Sequence, residues 1–228
     1  AECIAFGKPV DTFDIAYRDK DNKFHEDRHL KLREFYKKYV GVSLRDYMAV
    51  INEPTFDKPM GRVIAFHAVE NMTGHDMKGL NLTQEEMEDL CLAQLKAGEA
   101  IWFACDAGAA GARKDGVWDP NTVRYEDLLG GFSTAMEKGK RLEYSASSAN
   151  HAMLLTGVHL DEEGRPDRWK IENSWGKDVG DNGYFVCSED YFREFVYEAV
   201  ILKKHFTKEQ QEMLEKEPVY INAWDEDY

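Results

Sequence analysis

The stretch that decides the fold is NHAMLLTGV at residues 150–158, with two further runs after it, WKIENSWG at 169–176 and GYFVCS at 183–188. Each is a short, largely apolar run bounded by turn residues, which is typical of a β-strand. The segment DEEGRPD (161–167) has the composition of a turn between the first two runs. Short strands in such quick succession predict an antiparallel sheet.

The flanking sequence extends this pattern in both directions. RVIAFHAVE (62–70), AIWFACD (100–106) and VYEAVILKK (196–204) are further strand candidates. Helices are predicted where capping residues precede apolar periodicity, namely after Thr83 with Glu86, from Ser188 to Phe195, and after Thr207 with Gln210. Strands with helices placed to one side indicate an α+β fold, an antiparallel sheet with flanking helices.

The first sixty residues differ in character, being polar and favouring helix. Leu32, Phe35, Tyr36 and Tyr39 form a stripe at helical spacing that Gly41 would end. We therefore predict three regions: a helical insertion region at 1–60, a sheet domain at 61–206, and a C-terminal helix and arm at 207–228.

Composition excludes several classes of function. A formal net charge of -14 argues against binding to nucleic acid, which needs a basic face. No apolar run is long enough for a membrane helix and no leader peptide is evident, so we predict a cytoplasmic chain that does not bind membranes. The four cysteines, Cys3, Cys91, Cys105 and Cys187, have no paired spacing and are expected to be reduced and mostly buried.

His151 and Asn173 form the candidate catalytic pair. Adjacent strands joined by a turn can bring an imidazole and a carboxamide together at their ends, where the two share a hydrogen bond. A cysteine peptidase needs this pair, because the imidazole holds a thiolate and protonates the leaving amine while the amide oxygen orients the ring. Trp175 would cover the hydrogen bond. Alternatively, His151 is structural and Trp175 an ordinary core aromatic.

The runs NHAMLLTGV, WKIENSWG and G-x-x-GYF resemble the papain-like cysteine peptidases. The continuation SEDYFREFVYEAVILKKH, INAWD near the end, and AGEAIWFACDAG resemble the bleomycin hydrolase and aminopeptidase C branch of that family. The resemblance covers most of the chain from about residue 30 and is strongest at 150–205.

This resemblance implies a papain-like fold, of which the chain is the C-terminal half, and a cysteine aminopeptidase that cleaves peptide substrates through a thioester. His151 and Asn173 match the family's catalytic histidine and asparagine. The family's nucleophile, in a Q-x-x-x-x-x-C-W type segment, has no counterpart in this sequence, so we expect it in a missing N-terminal half. Cys105 matches a non-catalytic family position.

The family resemblance further implies a cytoplasmic homohexamer without cofactors. It also implies a C-terminal arm that meets the substrate's amino group. In this chain that arm would contain Asp225 and Tyr228.

Two alternatives remain open. The chain could be a regulatory or relic subunit that has lost the nucleophile. A more distant alternative is a zinc peptidase, because HEDRH (25–29) spells two histidines four apart with an adjacent glutamate. If residues 25–29 continue the helix predicted after them, His25 and His29 share its apolar face, which is the simpler explanation.

Overall fold

A computed structural model describes residues 7–66 and 76–222 and divides the chain into two compact units, Ala1–Arg45 and Asp46–Tyr228. The division lies at residue 45 rather than at the predicted residue 60. Strand β3 (Tyr47–Ile51) accounts for the difference, because it pairs on both sides with other strands of the large sheet.

The described part of the first unit is a β-hairpin followed by a short helix. Strands β1 (Phe13–Arg18) and β2 (Phe24–Leu30) pair antiparallel. Helix α1 (Leu32–Phe35) continues as one π-helical turn to Val40, and Gly41 ends it in the left-handed conformation with φ 68°. The helix that ends at Gly41 is thus present as predicted, whereas the hairpin of β1 and β2 was not predicted for the helical region 1–60.

The helix expected at HEDRH is wrong, because these residues lie in strand β2. Four residues of extended chain span about 13 Å, too far for His25 and His29 to bind one ion. The His25 ring instead shares a 2.7 Å hydrogen bond with Asp19 and stacks on Tyr17. The zinc hypothesis thereby loses its structural basis. In the described ranges, no group of three or more His, Cys, Asp or Glu side chains is placed to hold a metal ion.

Within its described residues, the second unit contains an eleven-stranded, mainly antiparallel sheet. Its other strands are β4 (Arg62–Phe66), β5 (Met77–Asn81), β6 (Ile101–Cys105), β7 (Gly111–Ala112), β8 (Val117–Trp118), β9 (His151–Leu160), β10 (Pro166–Glu172), β11 (Tyr184–Ser188), β12 (Val196–Leu202) and β13 (Val219–Ile221). Their order is β13-β4-β5-β3-β12-β6-β9-β10-β11-β8-β7. The helices are α2 (Gln84–Lys96), α3 (Tyr125–Leu128), α4 (Lys138–Glu143), α5 (Glu189–Phe195) and α6 (Lys208–Leu214).

The predicted helix starts are confirmed by their caps. Thr83 and Glu86 form a capping box at α2, Ser188 accepts the Tyr191 N–H at α5, and Thr207 with Gln210 forms a box at α6. Each cap satisfies backbone N–H groups that have no partner within the helix. In the part of the chain that the structure describes, no helix combines the length and apolarity needed to span a membrane.

The side chains of β9 alternate between the core and an exposed face. Met153 and Leu155 are buried in the main hydrophobic cluster, whereas Ala152 and Leu154 are exposed. His151 has the parity of Met153, so its side chain leaves the sheet on the core side. Trp169 and Ile171 of β10 are buried in the same cluster, which fixes the register of the two strands.

The loop between β10 and β11 is held by close backbone contacts to the turn before β8. Gly116 and Gly180 both have positive φ, 70° and 64°, and a Cβ on Gly116 would lie 2.7 Å from the Gly180 Cα. A Cβ on Gly180 would overlap the carbonyl oxygen of Tyr184. The Val186 N–H donates to the Gly116 carbonyl at 2.8 Å. Glycine at both positions lets the two segments meet.

We expect Gly180→Ala to lower the free energy of unfolding by about 3 kcal/mol, because it adds backbone strain and a clash at one residue. Gly164→Ala is the matched control, since Gly164 also has positive φ (81°) but nothing lies within 4 Å of an added Cβ. That variant should lose only about 1 kcal/mol. Denaturant unfolding measures both, and equal losses would contradict the close packing at Gly180.

Candidate active site

His151 begins β9 beside the end of β6. Its direct cross-strand partner is Cys105, and the Asn150 N–H donates to the Cys105 carbonyl at 3.1 Å. Asn173 follows the last residue of β10, where its N–H donates to the Gly183 carbonyl at 3.0 Å. Because β9 and β10 are antiparallel neighbours, the start of one meets the end of the other.

The two predicted side chains are hydrogen-bonded. The distance from His151 Nε2 to Asn173 Oδ1 is 2.9 Å, which confirms the predicted contact of about 3 Å. Asn173 Oδ1 also accepts the backbone N–H of Ser174 at 2.8 Å. The contact is geometric, and the catalytic role of the two residues stays a prediction.

The Ser174 N–H fixes the protonation pattern of the ring. A backbone N–H can only donate, so the Asn173 atom that faces it is the oxygen and not the amide nitrogen. The same oxygen faces His151 Nε2, so Nε2 of the neutral ring carries the proton. The lone pair is then on Nδ1, for which the described residues provide no hydrogen-bond partner. Nδ1 is therefore the nitrogen that can act as a base.

Trp175 lies over the imidazole. The two rings are stacked, with centroids 4.9 Å apart and an interplanar angle of 19°. Trp175 also contacts Trp118 and Phe185 edge-on, with centroids 5.8 Å and 5.6 Å away, and packs against the main core. Trp175 is thus a core aromatic that also stacks on His151, and its covering of the hydrogen bond stays a prediction.

A buried polar network holds the segment that leads into His151, and sequence reasoning missed it. Asp106 is 8% exposed. Its carboxylate accepts from Asn150 Nδ2 at 2.7 Å, Ser147 Oγ at 2.7 Å and the Gly108 N–H at 3.0 Å. The Tyr197 hydroxyl donates to Ser147 Oγ at 2.7 Å. Every partner of the carboxylate is a donor, so the network fixes residues 147–150 without a cation.

A cleft of about 350 Å³ adjoins this segment, lined by His151 together with Trp102, Ala104, Ala152, Glu198 and neighbouring residues. Burial, with a smaller contribution from Glu53, raises the pKa of Glu198 to about 7. Glu198 and Glu53 are the acidic residues of the lining, which also includes Lys78. The sequence signal for Glu198 was a glutamate within the apolar run VYEAVIL.

The described cysteines lack the properties of a nucleophile. Cys91, Cys105 and Cys187 are buried free thiols, and burial raises the pKa of each. Burial raises the pKa of Cys105 to about 12, which disfavours the thiolate that a nucleophile needs. The structure thus agrees with the expectation that Cys105 is a strand thiol. Cys3 lies outside the described residues, as do Asp225 and Tyr228 of the predicted arm.

The family assignment follows from comparison with known sequences. Residues 2–226 match the Peptidase C1-like family. The chain belongs to this family. Aminopeptidase C from Listeria innocua serovar 6a is 40% identical over 223 residues, covering 97% of this chain and 50% of the relative. Aminopeptidase G from Lactobacillus delbrueckii subsp. lactis is also 40% identical, with the same two coverages.

A solved Peptidase C1-like relative has the same fold. The crystal structure of PepW from Lactobacillus rhamnosis HN001 superposes with a TM-score of 0.91 at 41% identity, covering 98% of this chain and 51% of that chain. The predicted α+β, papain-like fold and the resemblance to aminopeptidase C are thereby confirmed. The chain spans about half the length of these Peptidase C1-like relatives.

The tautomer of His151 can be tested by NMR of protein labelled with ¹⁵N-histidine. We expect the neutral ring of His151 to carry its proton on Nε2, because the Asn173 oxygen accepts it. Asn173→Ala should remove this preference and let both tautomers appear. A proton on Nδ1 in the wild type would contradict the orientation assigned to Asn173.

We expect Asp106→Ala to lower the free energy of unfolding by about 3 kcal/mol, because it leaves three donors without their acceptor. Asp167→Ala is the control, since Asp167 is a more exposed carboxylate paired with His159 and Arg168. Its loss should stay below about 1 kcal/mol. Denaturant unfolding measures both, and similar losses would show that the Asp106 network adds little.

Proposed function

We propose that the whole protein containing this chain is a cysteine aminopeptidase in which His151 and Asn173 serve a cysteine from elsewhere in the protein. The observation that carries this proposal is the hydrogen bond between His151 Nε2 and Asn173 Oδ1 under the Trp175 ring. It leaves Nδ1 of His151 as a base with a fixed direction, which is what activation of a thiol requires.

The proposed reaction has two stages. His151 Nδ1 takes the thiol proton, and the thiolate attacks the peptide carbonyl to form a tetrahedral intermediate. The imidazolium returns its proton to the leaving amine as the C–N bond breaks, which leaves a thioester. Water then attacks the thioester while Nδ1 takes its proton, the C–S bond breaks to release the acid product, and the imidazolium returns the proton to the departing thiolate. Asn173 accepts from Nε2 throughout and stabilises the imidazolium.

The nucleophile is proposed to lie in a missing N-terminal half of the whole protein. Two observations support this. The three described cysteines are buried thiols with raised pKa, and the chain spans half the length of its aminopeptidase relatives. A subunit that has lost the nucleophile is the alternative, and labelling of the whole protein separates the two.

Cleavage at the peptide's amino end is supported by the relatives named aminopeptidase and by the chemistry of the cleft. Glu198 and Glu53 give the cleft two carboxyl groups against the one ammonium of Lys78, a balance that favours a cationic end of a substrate. We propose, from the family resemblance, that an arm with Asp225 and Tyr228 contributes to this selection. From the same resemblance we propose a cytoplasmic homohexamer related to bleomycin hydrolase.

Substitutions of His151 and Asn173 test the function in the whole protein. His151→Ala should abolish thioester formation, whereas Asn173→Ala should slow peptide cleavage by about 10² to 10⁴, or roughly 3 to 5 kcal/mol, because it removes the orienting group but keeps the base. His159→Ala is the control, since His159 lies on the same strand but is exposed and pairs with Asp167. Its effect on the rate should be negligible.

The measurements are peptide hydrolysis and intact mass after reaction with a thiol-directed peptidase label. Labelling of one cysteine in the wild type, lost or slowed in His151→Ala, supports the proposal. A whole protein that takes up no label, or equal and negligible effects of both active-site substitutions, would favour the non-catalytic alternative.

A further inference from the structure

Arg113 is a stacked and exposed cation next to the candidate active site. It begins a 3-10 turn, Arg113–Asp115, between β7 and β8. Its guanidinium carbon lies 3.9 Å from the centroid of the Trp175 ring. Within the described ranges Arg113 has no hydrogen bond or ion pair through its side chain. The flat guanidinium therefore keeps its N–H donors available for a ligand.

The turn that carries Arg113 is held in place. The Gly180 N–H donates to the Lys114 carbonyl at 3.4 Å, and the Val186 N–H donates to the Gly116 carbonyl at 2.8 Å. Stacking on Trp175 further restricts the arginine side chain. A cation ordered in advance loses less conformational entropy when it binds an anion, so binding costs less than for a free surface arginine.

His151 lies between the cleft, which it helps to line, and the stack of Trp175 and Arg113. Ala104 and Ala152 are cross-strand partners that line the cleft. Cys105 and His151 are the next pair, so their side chains leave the opposite face of the sheet. Trp175 stacks on His151, and Arg113 stacks on Trp175. The cleft and the Trp175–Arg113 stack are thus available to different parts of one substrate.

The acyl fragment and the leaving fragment of a substrate would bind to different surfaces. In the proposed reaction the leaving amine takes its proton from the imidazole, so the leaving fragment lies on the side of the ring and its packed neighbours. The acyl fragment, with the free amino group, fits the cleft that contains Glu198. A guanidinium on the side of the leaving fragment would attract any negatively charged group that this fragment carries.

We propose that Arg113 binds a carboxylate on the leaving fragment of the substrate. This carboxylate is either the α-carboxylate of a dipeptide or the acidic side chain of the first leaving residue. The inference rests on the proposed function and adds a substrate class to it. Charge and planarity both suit a carboxylate, to which a guanidinium can donate two parallel hydrogen bonds.

Paired peptide substrates of the whole protein test this. One pair is Leu-Leu against Leu-Leu-amide, which differ only in the α-carboxylate. The other is Leu-Glu-amide against Leu-Gln-amide, which differ only in the side-chain charge. The readout is the ratio of kcat/KM within each pair. We expect about a tenfold preference for the charged member of at least one pair, residing mainly in KM, and the pair that shows it identifies the source of the carboxylate.

Substitutions in the turn Arg113–Asp115 show which residue causes the preference for the charged peptide. Arg113→Ala should bring the ratio to about one, and Arg113→Lys should keep part of it, because lysine retains the charge without the planar pair of donors. Lys114→Ala is the matched control, since it removes the same charge from the next residue of the same turn. It should leave the ratio and the rates unchanged.

Three outcomes overturn the inference. The wild type could cleave both members of each pair equally well, Arg113→Ala could slow all four substrates by one common factor, or Lys114→Ala could abolish the preference as fully as Arg113→Ala. The second outcome would mean that Arg113 only supports Trp175. Failure of the wild type to cleave any of the four peptides would overturn the proposed function, and this inference with it.

Discussion

The site depends on one oxygen atom. Asn173 Oδ1 accepts both the Ser174 backbone N–H and the imidazole of His151, and the first contact gives the second its direction. If the carboxamide could rotate, its oxygen and its nitrogen would face the His151 ring alternately, and the tautomer of the imidazole would change with them. The backbone donor removes that freedom. Trp175 stacks on the imidazole that shares this oxygen.

A second set of polar contacts holds the segment that precedes His151. The buried carboxyl group of Asp106 accepts from Ser147 Oγ and Asn150 Nδ2, so hydrogen bonds to one acidic residue hold the segment 147–150. Loss of any of these donors would destabilise the fold, because hydrogen bonds would no longer offset the desolvation of the buried carboxyl group. The strand start at His151 is therefore set from two directions, by Asn173 beyond β10 and by Asp106 beyond β6.

The sequence predicted the elements whose side chains repeat regularly. Strands β6, β9, β10, β11 and β12 and helices α2, α5 and α6 were found because apolar periodicity and caps are local signals. The hairpin of β1 and β2 was missed, since β2, FHEDRHL, is polar on both faces and shows no alternation of hydrophobicity. Strand β3 was missed because it lies within the first sixty residues, which were assigned as one helical region.

The candidate site was predictable only in part, for a related reason. His151 and Asn173 lie on neighbouring strands joined by one turn, so a local argument could pair them. Asp106 and Asn150 are 44 residues apart, and Arg113 reaches Trp175 from another loop. No periodicity connects such residues, because their contacts arise from the order of strands in the sheet. Pairings between distant segments need the fold first.

The alternation of side chains along β9 has a consequence for how this site can change in evolution. Inside β9 or β10, a single inserted residue that is not absorbed by a β-bulge would move the imidazole or its partner to the opposite face. The exposed turn at 161–165, closed by the Asp161 side chain, faces no such limit. The 22-residue separation of His151 and Asn173 therefore depends on the length of this turn. Homologous pairs should be recognised by their positions on the strands instead of by their separation along the chain.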